Sequence, residues 1–171
     1  MWEVEGRFWK DEELLRYIES NPCKLLVMSG PTACGKTNLV KQIRCQNRHL
    51  LTSETFCDFY YALAACYNIK NTPFDLSFIN HELLRKYGVY DCLIVEDIDM
   101  MSCGRYLIQE KLIEFISRFL CQSTMIFTGM DCFRWPLFWD LYRVDKAVFV
   151  TYCDIINGRI CEENTHERKV V

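Results

Sequence analysis

Between Gly30 and Thr37 the chain reads GPTACGKT: a glycine, four residues, then Gly-Lys-Thr. Those residue types at that spacing suit the holding of an anion. Gly30 and Gly35 let the backbone curl until successive N–H groups point inward at the bound charge. A helix starting near Lys36 adds its positive end. Lys36 can reach the outer phosphates of a polyphosphate, and the Thr37 hydroxyl can offer an oxygen to a magnesium ion. Pro31, Thr32, Ala33 and Cys34 complete the cradle. Cys34 admits two readings: a thiol acidified at a helix N-terminus and so a redox brake, or a small residue in a permissive place.

A second group of residues supports the first. In LIVEDID, 93–99, the apolar Leu93, Ile94 and Val95 read as a buried strand that ends in Glu96 and Asp97. The carboxyl end of a parallel strand is where such folds bind ligands. Acids there hold magnesium and orient a water for attack on phosphate. The bland alternative is a solvated acidic turn, and Asp99 is read as part of one.

These groups need elements to position them. KLLVM, 24–28, lies between Pro22 and Gly30 and reads as a buried strand, followed after the glycine loop by a helix over about 36–44. HLLTS, DCLIVEDID, STMIFTG and KAVFVTY supply four more strands. Asp11 is placed as the cap of a helix over 12–20 with Leu14, Leu15 and Ile18 inward. Further helices are expected from Ser53 to about Tyr67, over about 75–87, and over YLIQEKLIEFISRFL, where Ile108, Leu112, Phe115, Ile116 and Phe119 share one face. Alternating strands and helices imply parallel strands joined by right-handed crossovers. The expected fold is therefore α/β, a three-layer α/β/α sandwich around a five-stranded parallel sheet. Residues 1–155 form its single domain, with a helical lead-in over 1–22, and 156–171 form a polar tail expected to fray.

The bulk properties narrow the field. A chain of 171 residues, half apolar and a quarter charged, suits one soluble globular domain. No apolar run approaches the roughly 20 residues that cross a bilayer. The start, MWEVEGRFWKDEELL, is mixed and acidic rather than a secretory signal, so a cytoplasmic location is expected. A formal charge of −3 argues against binding nucleic acid through the whole surface. The 11 cysteines include no Cys-x-x-Cys pair, so they read as reduced thiols packed like small hydrophobes rather than as a zinc site or disulfide framework.

Taken in order, LLVMSGPTACGKTNLV, HLLTSETFCDFY, DCLIVEDID and MIFTGMD resemble the AAA+ domain of the bacterial replication initiator DnaA and its shorter relative Hda, over roughly 24–152. The resemblance implies a P-loop ATPase fold that binds ATP or ADP with Mg²⁺. It implies a magnesium-side acid at Glu96, where relatives usually carry Asp, and a water-polarising acid at Asp97. The extra methylene of Glu96 bears on magnesium geometry and hence on hydrolysis. Thr128 resembles the strand-end sensor of the γ-phosphate, with Asp131 one residue out of pattern. Arg143, in DLYRVDKAVFV, matches the arginine finger that reaches a neighbouring subunit's nucleotide.

The implied function is control of replication initiation through nucleotide state, with slow or partner-dependent hydrolysis. The implied partners are a DnaA-type initiator or a second copy. The family's helical lid, clamp-docking peptide and DNA-binding helix-turn-helix have no counterpart here, which argues against direct sequence-specific DNA binding. The aromatic stretch CFRWPLFWDLY, 132–142, reads either as a hydrophobic plug or as a partner patch. Two rival functions stay open: a helicase-loader or transposition-helper ATPase, and a non-catalytic module that keeps the P-loop fold as a scaffold.

Overall fold

The computed structural model describes residues 1–21, 24–56, 77–100, 106–132, 147–153, 155–156 and 159–160. The elements, in chain order, are β1 (Trp2–Val4), β2 (Arg7–Trp9), α1 (Asp11–Ser20), β3 (Leu25–Ser29), α2 (Lys36–Gln42), β4 (Arg48–Thr52), α3 (Ser77–Tyr87) and β5 (Cys92–Glu96). A short 3₁₀ turn (Ile98–Met100), α4 (Tyr106–Leu120), β6 (Thr124–Gly129), β7 (Ala147–Tyr152), β8 (Ile155–Ile156) and β9 (Arg159–Ile160) follow. Residues 53–56 are helical, and the rest of the helix expected from Ser53 lies outside the described residues.

The main sheet has seven strands in the order β2-β1-β7-β3-β6-β5-β4. The five strands from β7 to the β4 edge run parallel, as the alternation of elements requires. β3 lies between β6 and β7 and all five of its residues are buried, which explains its unbroken apolar sequence. Side chains alternate between two cores. Leu25, Val27, Leu93, Val95, Met125 and Phe127 face α3 and α4, where Leu83, Tyr87, Phe115 and Phe119 complete the layer. Leu26, Met28, Ile94 and Ile126 face α1 and α2 through Leu14, Ile18, Leu39 and Val40. The α/β/α layering is the class expected from the sequence.

Three details differ from expectation. The lead-in is helical only over α1, because residues 2–9 form a β-hairpin that adds two antiparallel strands beside β7. Glu5 (φ 50°) and Gly6 (φ 78°) both take the left-handed conformation of a tight hairpin turn, and the Glu3 carboxylate accepts the Gly6 N–H at 2.7 Å. Asp11 is the first residue of α1 rather than its cap. Its carboxylate accepts the indole N–H of buried Trp2 at 2.8 Å, while Glu13 accepts the Lys10 N–H at 3.0 Å. Beyond Ile156 the chain still pairs, with Ile155 opposite Ile160.

Candidate functional site

The turn from Gly30 to Thr37 joins the buried end of β3 to the start of α2. Ala33 (φ 64°) and Gly35 (φ 100°) both take left-handed φ, a backbone conformation from which anion-binding nests are built. A Cβ on Gly35 would meet nothing within 4 Å, so glycine serves conformation there. Gly30 is glycine for space: a Cβ would lie 2.5 Å from the Tyr152 Cβ and 3.1 Å from the Cys34 sulfur. The C-terminal end of α2 is held by Arg48, whose guanidinium donates to the Ile43 carbonyl at 2.8 Å and to the Lys41 carbonyl.

Lys36 is 9% exposed, and its ammonium turns back over the loop. It donates to the carbonyls of Gly30 at 2.6 Å and Pro31 at 2.9 Å and sits 3.8 Å from the Cys34 sulfur. A buried ammonium needs such partners. These are neutral acceptors, so a phosphate oxygen reaching the loop would be the stronger one.

The Thr37 hydroxyl donates to the Glu96 carboxylate across the gap between α2 and β5. Strand parity explains the meeting, since Glu96 follows Ile94 onto the α2 face of the sheet. Asp97 comes next, exposed, with φ 55°. That left-handed residue swings the chain out of β5 and into the 3₁₀ turn. Thr128, 1% exposed, lies on neighbouring β6 opposite Met28 and shares the Glu96 face. Glycine loop, Thr37, Glu96 and Thr128 therefore gather at the carboxyl ends of β3, β5 and β6. Arg143 and most of the aromatic stretch lie outside the described residues.

Asp99 was not recognised from the sequence as part of this arrangement. Rather than a solvated turn, it is a junction: its carboxylate accepts the N–H groups of Met130 (3.1 Å) and Asp131 (3.1 Å). The Ser29 hydroxyl donates to the Met130 carbonyl at 3.1 Å and accepts the Cys132 N–H at 3.2 Å. The Gly30 N–H donates to the Gly129 carbonyl at 3.1 Å. The acid strand, the end of β6 and the first glycine of the loop are thus tied together. A cap-like Asp two residues beyond the acid pair was the available signal. Burial, with Asp99 nearby, pushes the Cys132 thiol up to about 12, so it packs here as a neutral group.

No family model matches the chain, and no curated protein matches it. Similar solved structures include a DNA replication initiation factor, 20% identical over 69% of this chain and 36% of that one, with a TM-score of 0.47. AMPPCP-bound DnaA from Aquifex aeolicus is 18% identical over 74% of this chain and 41% of that one, with a TM-score of 0.46. A structure concerning katanin self-assembly is 16% identical over 82% of this chain and 46% of that one, with a TM-score of 0.48. This chain spans less than half the length of each. Likeness at this level assigns neither activity nor partner.

Proposed function

We propose that the chain is a nucleotide-binding AAA+ protein of the DnaA/Hda type. The turn Gly30–Thr37 binds the phosphates of ATP or ADP, and the nucleotide state is read by a replication partner, either an initiator of the same type or a second copy. One observation carries the reading: the Thr37 hydroxyl meets the Glu96 carboxylate beside a loop whose only lysine already lies over the loop carbonyls.

The residues present suit a magnesium–nucleotide pair. Left-handed backbone at Ala33 and Gly35 supports an anion nest, and Thr37 with Glu96 offers two hard oxygen donors of the kind magnesium takes. Magnesium, when bound there, offsets negative charge between phosphates. In this reading Lys36 exchanges its two carbonyl acceptors for phosphate oxygens. Asp97 polarises the attacking water from its exposed strand end, and Thr128 senses the terminal phosphate. Arg143 is assigned to a neighbouring subunit's nucleotide, which makes hydrolysis slow in the isolated chain.

Calorimetric titration with ATP and ADP, with and without Mg²⁺, tests the reading. Wild type should bind, and Lys36→Ala should lose at least about tenfold in affinity, the equivalent of one charge-assisted contact. Equal affinities, or no binding by wild type, would overturn it.

A further inference from the structure

The opposite end of the sheet, at the amino ends of β4 and β5, holds a pair of thiols that the nucleotide reading does not use. Cys92 opens β5 and is buried, and Cys45 lies half-buried in the turn after α2. Cys45 packs against the core cluster that contains Cys92. Both line a cavity of about 660 Å³ that also touches Ile18, Arg44 and Gln122.

The backbone on either side of the pair is already clasped. The Asp91 carboxylate accepts the N–H groups of Gln46 and Asn47, each at 2.8 Å. The Asn47 carbonyl accepts the N–H groups of Asp91 at 3.0 Å and Cys92 at 3.3 Å, and the Asn47 side-chain amide donates to the Val89 carbonyl at 2.8 Å. These bonds fix residues 46–47 against residues 91–92, which holds the flanking Cys45 and Cys92 at the wall of the same cavity. A disulfide forms between thiols that the backbone holds as neighbours and fails where the backbone must be forced.

We propose that Cys45 and Cys92 are a dithiol site that a low-molecular-weight disulfide converts to an intrachain disulfide. Accessibility sets the order. Burial pushes the Cys92 thiol up to about 12, with Cys45 and Asp91 adding to the shift and Arg48 opposing it, so Cys92 is a poor first nucleophile. Cys45 reacts first. Its sulfur, having given up its proton, attacks one sulfur of the small disulfide; that S–S bond breaks, and the first thiol leaves with the proton. The Cys92 sulfur then attacks the Cys45 sulfur of the mixed disulfide. The second small thiol departs with the Cys92 proton. Two protein thiols are oxidised and one disulfide is reduced to two thiols.

The product would pin the turn after α2 to the start of β5, at the sheet end away from Gly30–Thr37. The site therefore stands or falls independently of nucleotide binding. The native full chain is incubated with oxidised glutathione, quenched in acid and mapped by peptide mass spectrometry. The expected result is a cross-linked pair of peptides bearing Cys45 and Cys92. Cys92→Ser should retain one glutathionyl group on Cys45, whereas Cys45→Ser should leave Cys92 unreacted. Exposed Cys121 reports that the reagent is competent. The proposal is overturned if Cys121 is modified while Cys45 and Cys92 of the wild type both stay free, or if their link forms only in urea.

Discussion

In the proposed site Lys36, Thr37, Glu96 and Asp97 have separable parts, and single changes distinguish them. Asp97 is exposed, so Asp97→Asn should leave folding and nucleotide affinity intact while abolishing any ATP turnover. Phosphate-release assays beside calorimetry check this, and unchanged turnover would remove Asp97 from the mechanism. The glycines differ in cost for different reasons. Gly30→Ala forces a methyl against the Tyr152 Cβ, which should destabilise the chain by about 1–3 kcal/mol as overpacking does. Gly35→Ala meets open space and should cost about 1–2 kcal/mol through left-handed backbone alone. Urea unfolding of both variants measures the difference. The glycine–lysine–threonine spacing was fully legible from the sequence because the loop is local. Its meeting with Glu96 was inferable, since a strand's carboxyl end is a recurrent ligand site, but the Thr37 contact itself depends on strand parity and the placing of α2.

Between elements, Asp99 and the N-terminal hairpin matter more than the sequence suggested. Asp99 binds two amides at the end of β6, and loss of hydrogen bonds to a charged group typically costs about 1.5–3 kcal/mol. Asp99→Ala should show that loss in urea titration and faster amide exchange at Met130 and Asp131. Protection at wild-type levels would dismiss the junction. The hairpin is anchored by Trp2, buried, edge-on to Tyr152 at 5.1 Å and bonded to Asp11. Trp2→Ala should cost about 3–5 kcal/mol, read from the same titration. The hairpin escaped sequence reading because two three-residue strands give no usable periodicity, even though Glu5-Gly6 between Trp-Glu-Val and Arg-Phe-Trp is a turn signal.

At the scale of the molecule, three buried acids make stability depend on alkaline pH. Burial pushes the Cys92 and Cys132 thiols and the Tyr87 phenol up to about 12; neighbouring Cys45, Asp99 and Tyr90 respectively add to the shifts. In the unfolded chain these groups lose protons first, so the unfolded state binds fewer protons and stability falls as pH rises from about 9 toward 12. The slope should approach about 1.4 kcal/mol per pH unit for each group that has titrated in the unfolded chain. Urea midpoints from neutral to strongly alkaline pH test this, and Cys132→Ala should flatten the decline.

The sequence by itself determined the glycine loop between strand and helix, the two acids that end β5, the apolar strands and the alternation that makes a parallel α/β sheet. Each is written in neighbouring residues, where spacing and backbone chemistry act directly. Tertiary structure decided the strand order, the face on which Glu96 and Thr128 meet α2, the role of Asp99 and the approach of Cys45 to Cys92. Those depend on which distant segments hydrogen-bond side by side. Such pairing is settled by burial of the whole sheet between two helical layers, a quantity that no single stretch of sequence contains.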